Sequence, residues 1–241
     1  MPQINIQLNH VIAVVGCDGS GKSTLTADLL RDFQRQYQGG VELLYLGQSS
    51  GDIGDWIKSL PIIGGPFGRY LVRKAERTHS KESSSPDTLT ALVIYGLSLW
   101  RAVKFRKMLA LNGKGVVVIT DRYPQAEVPG FYFDGTGLGI TTQDTNQAQA
   151  WLVRQLMKRE QKLYKWMASH VPALVIRLNI DAETAHARKP DHKLAMLRAK
   201  TAVIPTLHFN HANLLDLNSL MPYVQVLEEA LCHANAIIAP K

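Results

Sequence analysis

The sequence predicts an α/β fold built on a doubly wound, five-stranded parallel sheet flanked by helices. Short apolar runs of strand length alternate with longer segments whose apolar residues recur at helical spacing. The first run, residues 11–15, is apolar throughout, as expected of a central parallel strand that is buried on both faces. A glycine-rich loop follows this run and leads directly into the first helical segment.

The predicted elements follow one another along the whole chain. In the helix expected at 22–37, apolar residues recur at helical spacing from Leu25 onward, and the glycines at 39–40 end it. Ser85 followed by Pro86 is typical of a helix start. The apolar stripe of that next helix is formed by Leu89, Leu92, Val93, Gly96, Leu99, Trp100 and Val103. The other predicted elements are strands at 41–46, 116–120, 173–179 and 213–217 and helices at 151–169, 181–188 and 219–233.

Length and composition fit one globular domain. No repeat or linker divides the 241 residues. No apolar run approaches the roughly 18 residues that span a bilayer, and the first residues lack the basic stretch of a targeting peptide. We therefore expect a cytoplasmic protein without membrane contact. The formal charge of +7 fits an anionic small molecule. Its basic clusters, one running from Arg188 to Lys200, lack interleaved aromatic residues, so we do not expect nucleic acid.

The loop after the first strand matches a phosphate-binding pattern. The pattern G-x-x-x-x-G-K-[ST] is met by Gly16, Cys17, Asp18, Gly19, Ser20, Gly21, Lys22 and Ser23. Its glycines let successive N–H groups turn toward phosphates, and the following helix adds its positive N-terminus. Lys22 is expected to reach the β- and γ-phosphates, and Ser23 to ligate Mg²⁺. We therefore predict a P-loop NTPase fold that binds ATP and Mg²⁺ on residues 16–24, up to Thr24. The helix N-terminus is also expected to lower the pKa of Cys17.

Two motifs point to a particular family. Asp18 stands at the third position of the loop, and the strand at 116–120 runs into Asp121-Arg122-Tyr123. The loop resembles the G-x-D-G-x-G-K-[ST] pattern of the thymidylate kinases, and Asp121-Arg122-Tyr123 resembles the DRY motif of that family. Ligands of open α/β sheets bind at such strand ends. Asp121 is expected to hold Mg²⁺ or its waters, or to orient the acceptor. Arg122 is expected to clamp an acceptor phosphate, and Asp18 to accept a hydrogen bond from an acceptor hydroxyl or to shape the turn.

A third stretch matches the family in position. Residues 178–188 resemble the strand-to-helix segment that brings a lid arginine onto ATP, with Asp181 as the expected cap of the short helix. The resemblance makes Arg188 the expected arginine at the transferred phosphate, with Arg198 and Lys189 as alternatives. Such an arginine is worth roughly 10³- to 10⁵-fold in rate.

The acceptor side resembles the family less closely. Arg101 corresponds in position to the family's acceptor-binding arginine on the long helix, and residues 215–217 fit the last strand, after which such kinases hold the adenine. The family's Arg-Glu-Pro-Gly-Gly run is replaced by residues 46–51, which contain no arginine and no acidic residue. Phe131 and Tyr132 are available for base stacking, in a segment unlike the family's. The resemblance also implies a homodimer packed through long helices.

The sequence therefore predicts an ATP- and Mg²⁺-dependent kinase of a nucleoside monophosphate, with dTMP as the default acceptor. We divide the single domain, residues 1–241, into the phosphate loop at 16–24, an acceptor-side region at 47–135 and a lid at about 186–203. One alternative is a kinase of the same fold that acts on a nucleoside or a sugar-like metabolite. Another is a nucleotide-binding switch or an NTPase without an acceptor, although no Asn-Lys-x-Asp guanine motif is present.

Overall fold

The computed structural model describes residues 5–47, 88–128, 137–138 and 147–238. The strands in these ranges are β1 (Ile6–Gly16), β2 (Val41–Tyr45), β3 (Val117–Asp121), β4 (His170–Asn179) and β5 (Leu214–Asn218). The helices are α1 (Lys22–Gln36), α2 (Thr88–Gly113), α3 (Gln147–Ala168), α4 (Ala182–Arg188), α5 (Leu194–Val203) and α6 (Tyr223–Ile238). A 3₁₀ turn covers Ile204–Thr206.

The strands form one parallel sheet in the order β2-β3-β1-β4-β5. Every neighbouring pair is parallel, so the carboxyl ends of all these strands lie at one edge. Helices cover both faces. On one face, Leu25 and Leu29 of α1 pack with Val226 of α6; on the other, Phe105 of α2 packs with Met167 of α3. The doubly wound α/β fold predicted from the sequence is confirmed.

Strand β1 is longer than its apolar run. It begins at Ile6, which pairs with His170 of β4, whereas the sequence predicted a strand at 11–15. Within this extension Leu8 is buried among exposed or half-buried neighbours, so the continuous apolar pattern stops short of it. The pairing with β4 shifts register between Leu8 and Ile12. Tertiary pairing therefore sets the length of β1.

The predicted helices and strands are present in the described ranges, with different ends. The helix start predicted at Ser85 and Pro86 lies outside the described residues. Helix α3 begins at residue 147 and not at 151, and β4 begins at residue 170 and not at 173. Helix α6 ends at residue 238 and not at 233. Helix α5 was expected only as part of the lid, and the structure shows a separate ten-residue helix there.

The apolar stripe predicted along α2 is not the face that packs. Leu92, Leu99 and Val103 are 46%, 43% and 53% exposed. The buried residues of α2 are Ala91, Ile94, Ser98, Arg101, Ala102, Phe105 and Met108. Because α2 is apolar over much of its circumference, spacing alone does not reveal the packed face. Ser98 and Arg101 are buried against polar side chains of α3, where Ser98 donates to Glu160 and Arg101 donates to Tyr164. In the described ranges no helix combines the length and apolar character that crossing a membrane requires.

Candidate active site

The topology opens a crevice at the carboxyl edge of the sheet. Strands β1 and β3 are neighbours there, with Val14 paired to Asp121. Helix α1 follows β1 onto one face, while α3 follows β3 onto the other. Ligands of open α/β sheets bind at such a point, where the connections diverge. The phosphate loop and the Asp121-Arg122 pair both meet this crevice.

The phosphate loop joins β1 to α1 with left-handed glycines. Gly19 and Gly21 have φ angles of +84° and +91°, which side-chain-bearing residues rarely adopt. A Cβ atom on Gly19 would lie 2.8 Å from the carbonyl oxygen of Ala185, so α4 leaves no room for one. The Nζ atom of Lys22 donates a hydrogen bond to the carbonyl oxygen of Cys17 at 2.7 Å. The lysine is thus folded over its own loop, and its exposed fraction is 6%.

The other loop residues surround that turn. Gly16 ends β1, and a Cβ atom there would lie 2.6 Å from the Oγ atom of Ser20. Ser20 is buried, whereas Ser23 and Thr24 are exposed at the start of α1.

Ser23 and Asp121 meet across the crevice. The Ser23 hydroxyl donates a hydrogen bond to Oδ2 of Asp121 at 3.1 Å. The two residues come from the start of α1 and the end of β3. This pair offers hard oxygen atoms of the kind that Mg²⁺ prefers. The residue types and their separation therefore fit one shared Mg²⁺.

Asp18 is shared by two cations from distant parts of the chain. Its Oδ1 atom pairs with Arg122 at the end of β3, and its Oδ2 atom accepts a hydrogen bond from Lys200 of α5 at 2.6 Å. All three side chains are nearly excluded from solvent, with exposed fractions of 9% to 11%. Burial raises the pKa of Asp18, but Arg122, Lys200 and Lys22 outweigh it and hold the pKa well below its usual range. We call Asp18, Lys22, Asp121, Arg122 and Lys200 the loop cluster.

Arg122 adopts an uncommon backbone conformation. Its φ angle of 72° lies in the left-handed region, which costs a non-glycine residue free energy. Its N–H group donates to the carbonyl oxygen of Val14 at 2.8 Å. The chain therefore turns sharply at the end of β3, and the guanidinium group reaches the phosphate loop.

Arg188 is the predicted lid cation that contacts the phosphate loop. It ends α4, whose start is capped as predicted: Oδ1 of Asp181 accepts from the N–H of Thr184 at 2.7 Å. The guanidinium group of Arg188 donates to the carbonyl oxygens of Gly19 and Ser219, each at 3.2 Å. Arg198, by contrast, is exposed and pairs with Glu183 at 2.9 Å, while Lys189 is exposed.

Arg101 lies in a different environment. It is fully buried, and its guanidinium carbon is 5.6 Å from the ring centre of Tyr164 on α3. Beside it, the hydroxyl of Ser98 donates to Glu160 at 2.5 Å, and the N–H of Leu138 donates to the same carboxylate at 2.6 Å. We call Ser98, Arg101, Glu160 and Tyr164 the helix-pair cluster. These contacts do not include the phosphate loop, and an acceptor role of Arg101 stays a prediction. Phe131 and Tyr132 lie outside the described residues.

Two features of the site were missed or mistaken at the level of sequence. Lys200 was recognised only as part of a basic cluster, because no local motif relates it to Asp18, 182 residues earlier. The expectation for Cys17 was wrong. Burial, followed by the neighbouring Asp18 charge, raises the pKa of the Cys17 thiol, and these effects exceed the opposing effects of Lys200 and Lys22.

Fold and loop geometry together define the class of P-loop NTPases. No protein-family model matches the chain. The chain is 53% identical over 239 residues to a protein of Escherichia coli strain K12, the uncharacterized ATP-binding protein YghS, covering 99% of this chain and 98% of that protein. It is 44% identical over 229 residues to the uncharacterized ATP-binding protein YghR of the same strain, covering 95% and 88%. The chain therefore belongs to the family of YghS and YghR.

Proposed function

We propose that this protein is a thymidylate kinase-like phosphotransferase that binds ATP with Mg²⁺ and transfers the γ-phosphate to a nucleoside monophosphate, by default dTMP to give dTDP. The observation that carries the proposal is the position of Arg122. Arg122 lies at the end of β3 and reaches the phosphate loop, so it adds a cation to the one that Lys22 provides. This arrangement suits an enzyme that binds a second anion next to ATP. The names of the two E. coli relatives support the ATP part of the proposal.

On the ATP side, each contact of the loop has a role. The N–H groups of residues 16–24 cradle the phosphates, and Lys22 exchanges the carbonyl oxygen of Cys17 for the β- and γ-phosphates. Arg188, already on Gly19, adds positive charge where the phosphoryl group transfers. The adenine lies after β5, where Leu220 and Met221 expose apolar surface.

Ser23 and Asp121 are the residues that would hold Mg²⁺. Bound there, the ion would neutralise charge on the phosphate oxygens of ATP. Ser23 is exposed, whereas Asp121 is only 7% exposed, so the Ser23 side leaves room for the water ligands that Mg²⁺ retains.

The transfer step demands positioning more than covalent help from the protein. An oxygen of the acceptor's phosphate attacks the γ-phosphorus, the bond to the β–γ bridging oxygen breaks, and ADP leaves with that electron pair. Arg122 orients the acceptor's phosphate for this attack, and Asp18 accepts a hydrogen bond from an acceptor hydroxyl. Lys22 and Arg188 stabilise the charge on the transferring group.

The test is ADP production with Mg·ATP in the presence of single acceptors: dTMP, dUMP, UMP, CMP, thymidine and a set of sugars. We expect dTMP to stimulate ADP formation, and Arg122→Met to raise the KM for dTMP at least tenfold. Arg31→Met is the matched control, because Arg31 is 65% exposed in the second half of α1, where it pairs with Asp28.

Each outcome decides between the readings. Stimulation by thymidine or a sugar but not by dTMP would support kinase activity and show that the acceptor is not a nucleoside monophosphate. Steady phosphate release that no acceptor increases would contradict the proposal and favour an NTPase or switch.

A further inference from the structure

The helices α4 and α5 contact the phosphate loop at two neighbouring residues. Arg188, at the end of α4, donates to the carbonyl oxygen of Gly19. Lys200, on α5, donates to the carboxylate of Asp18. The first contact is exposed, but the second is buried, since Lys200 is only 7% exposed as a whole residue. A buried ammonium group is costly unless it is paired, so this contact fixes α5 against the loop.

Asp18 holds together cations that would otherwise repel one another. Arg122 and Lys200 both bind its carboxylate, and Lys22 lies close enough to lower its pKa further. Without the carboxylate, these positive groups would share a nearly solvent-excluded space. With it, the group of three cations and one anion keeps a positive excess for an incoming polyphosphate.

We propose that Lys200 is a positioning residue for nucleotide binding, which acts through Asp18 by holding this carboxylate and the phosphate loop against α5. The inference rests on the proposed ATP site and is independent of the identity of the acceptor. Loss of the Lys200 charge releases the Asp18 carboxylate from α5 and leaves its negative charge less neutralised beside the phosphates. Both changes weaken the binding of an anionic nucleotide.

The pairing gives a charge-balanced test. Lys200→Met removes one positive charge, and Asp18→Asn removes one negative charge, so the double variant has the net charge of the natural protein. If Lys200 acts through Asp18, its loss matters only while Asp18 is charged. If Lys200 itself binds phosphate, its loss matters in either background.

The measurement is calorimetric titration with Mg²⁺ and a non-hydrolysable ATP analogue, without any acceptor. We expect Lys200→Met to weaken binding about tenfold or more, which corresponds to about 1.4 kcal/mol, and Lys200→Arg to bind within about threefold of the natural protein. In the Asp18→Asn background, Lys200→Met should change the Kd by less than about threefold. Lys193→Met, an exposed lysine at the start of the same helix, should leave the Kd unchanged.

Two results overturn the inference: natural affinity in Lys200→Met, or an equal loss with and without Asp18. The double variant keeps the natural net charge and lacks both members of the Lys200–Asp18 pair, so its comparison with Asp18→Asn remains decisive if the single variant does not fold. Failure of the natural protein to bind the analogue would instead refute the proposed function.

Discussion

The loop cluster and the helix-pair cluster are both made of polar side chains withdrawn from solvent, yet they differ in position and charge. The loop cluster lies where β1 and β3 end, and its cations outnumber its carboxylates. The helix-pair cluster lies between α2 and α3, where both carboxylate oxygens of Glu160 accept hydrogen bonds from within the protein. The first arrangement suits an anionic ligand, while in the second the Glu160 carboxylate is satisfied by groups of the protein itself.

The carboxyl groups of the two clusters are perturbed in opposite directions. Cations keep the pKa of Asp18 well below its usual range despite burial. Burial raises the pKa of Glu160 to about 7, and the hydrogen bonds from Ser98 and Leu138 only partly oppose it. The two buried acids thus differ because cations pair with Asp18, whereas the neutral Ser98 hydroxyl and the Leu138 N–H bond the Glu160 carboxylate.

The largest effect is expected at Arg188, which contacts the phosphate loop beside the loop cluster. Arg188→Ala should lower kcat of phosphotransfer about 10³-fold while the Kd of ATP changes much less, because the arginine acts mainly on the transferring group. Single-turnover kinetics and calorimetry separate the two effects. An equal loss of rate and of binding would contradict this role. Arg198→Ala, which removes an exposed pair with Glu183, tests the alternative lid cation.

Asp121 tests the proposed Mg²⁺ contact of the loop cluster. Asp121→Asn should lower kcat about 10²-fold and raise the Mg²⁺ concentration required for half-maximal rate, since a neutral amide binds Mg²⁺ less well. A Mg²⁺ titration of the initial rate checks this. If Asp121→Asn required no more Mg²⁺ than the natural protein, the proposed role of Asp121 in holding Mg²⁺ would be wrong.

Glu160 tests the helix-pair cluster through the pH dependence of the free energy of unfolding. Its pKa in the folded protein, about 7, exceeds its ordinary value of 4.5, so the folded state retains a proton that the unfolded state loses. The associated stability is complete below about pH 4.5 and is lost as the pH rises to about 7. Glu160→Gln should therefore gain roughly 2 kcal/mol relative to the natural protein between pH 5 and pH 8.

Denaturant unfolding at the two pH values measures this difference. Glu228→Gln on the exposed face of α6 is the control. The groups that face Glu160 are Ser98, Tyr164 and the N–H of Leu138, with Arg101 over the ring of Tyr164. Parallel pH profiles for Glu160→Gln and the natural protein would show that folding does not raise the pKa of Glu160.

Gly19 gives the smallest expected effect. Gly19→Ala forces a side chain into a left-handed residue and against the carbonyl oxygen of Ala185, which should destabilise the protein by about 1–2 kcal/mol. Gly39→Ala is the matched control, because a Cβ atom there would lie 3.8 Å from its nearest neighbour. Similar melting temperatures for both variants would mean that the loop and α4 separate readily.

The features that the sequence predicted correctly are those determined by residues close together in the chain. The phosphate loop, the Asp181 cap and the strand that ends at Asp121 each depend on residues close together in the sequence. The parallel sheet followed from the alternation of strands and helices. These features were predicted because spacing and residue type define them.

What the sequence did not reveal depends on contacts between distant segments. Lys200 reaches Asp18 only because α5 packs on the loop. The packed face of α2 is chosen by Glu160 and Tyr164 on α3, and apolar spacing pointed to the exposed Leu99 face instead. The left-handed backbone that aims Arg122 has no signature in its residue type.

The most direct test of the account is calorimetric titration of Mg·ATP into the natural protein, Lys22→Met and Glu160→Gln, with the exposed Lys114→Met as a control. We expect Lys22→Met to weaken ATP binding about 10²-fold, and Glu160→Gln and Lys114→Met to bind like the natural protein. Natural affinity in Lys22→Met, or a comparable loss in Glu160→Gln, would contradict the assignment of the nucleotide site to the loop cluster.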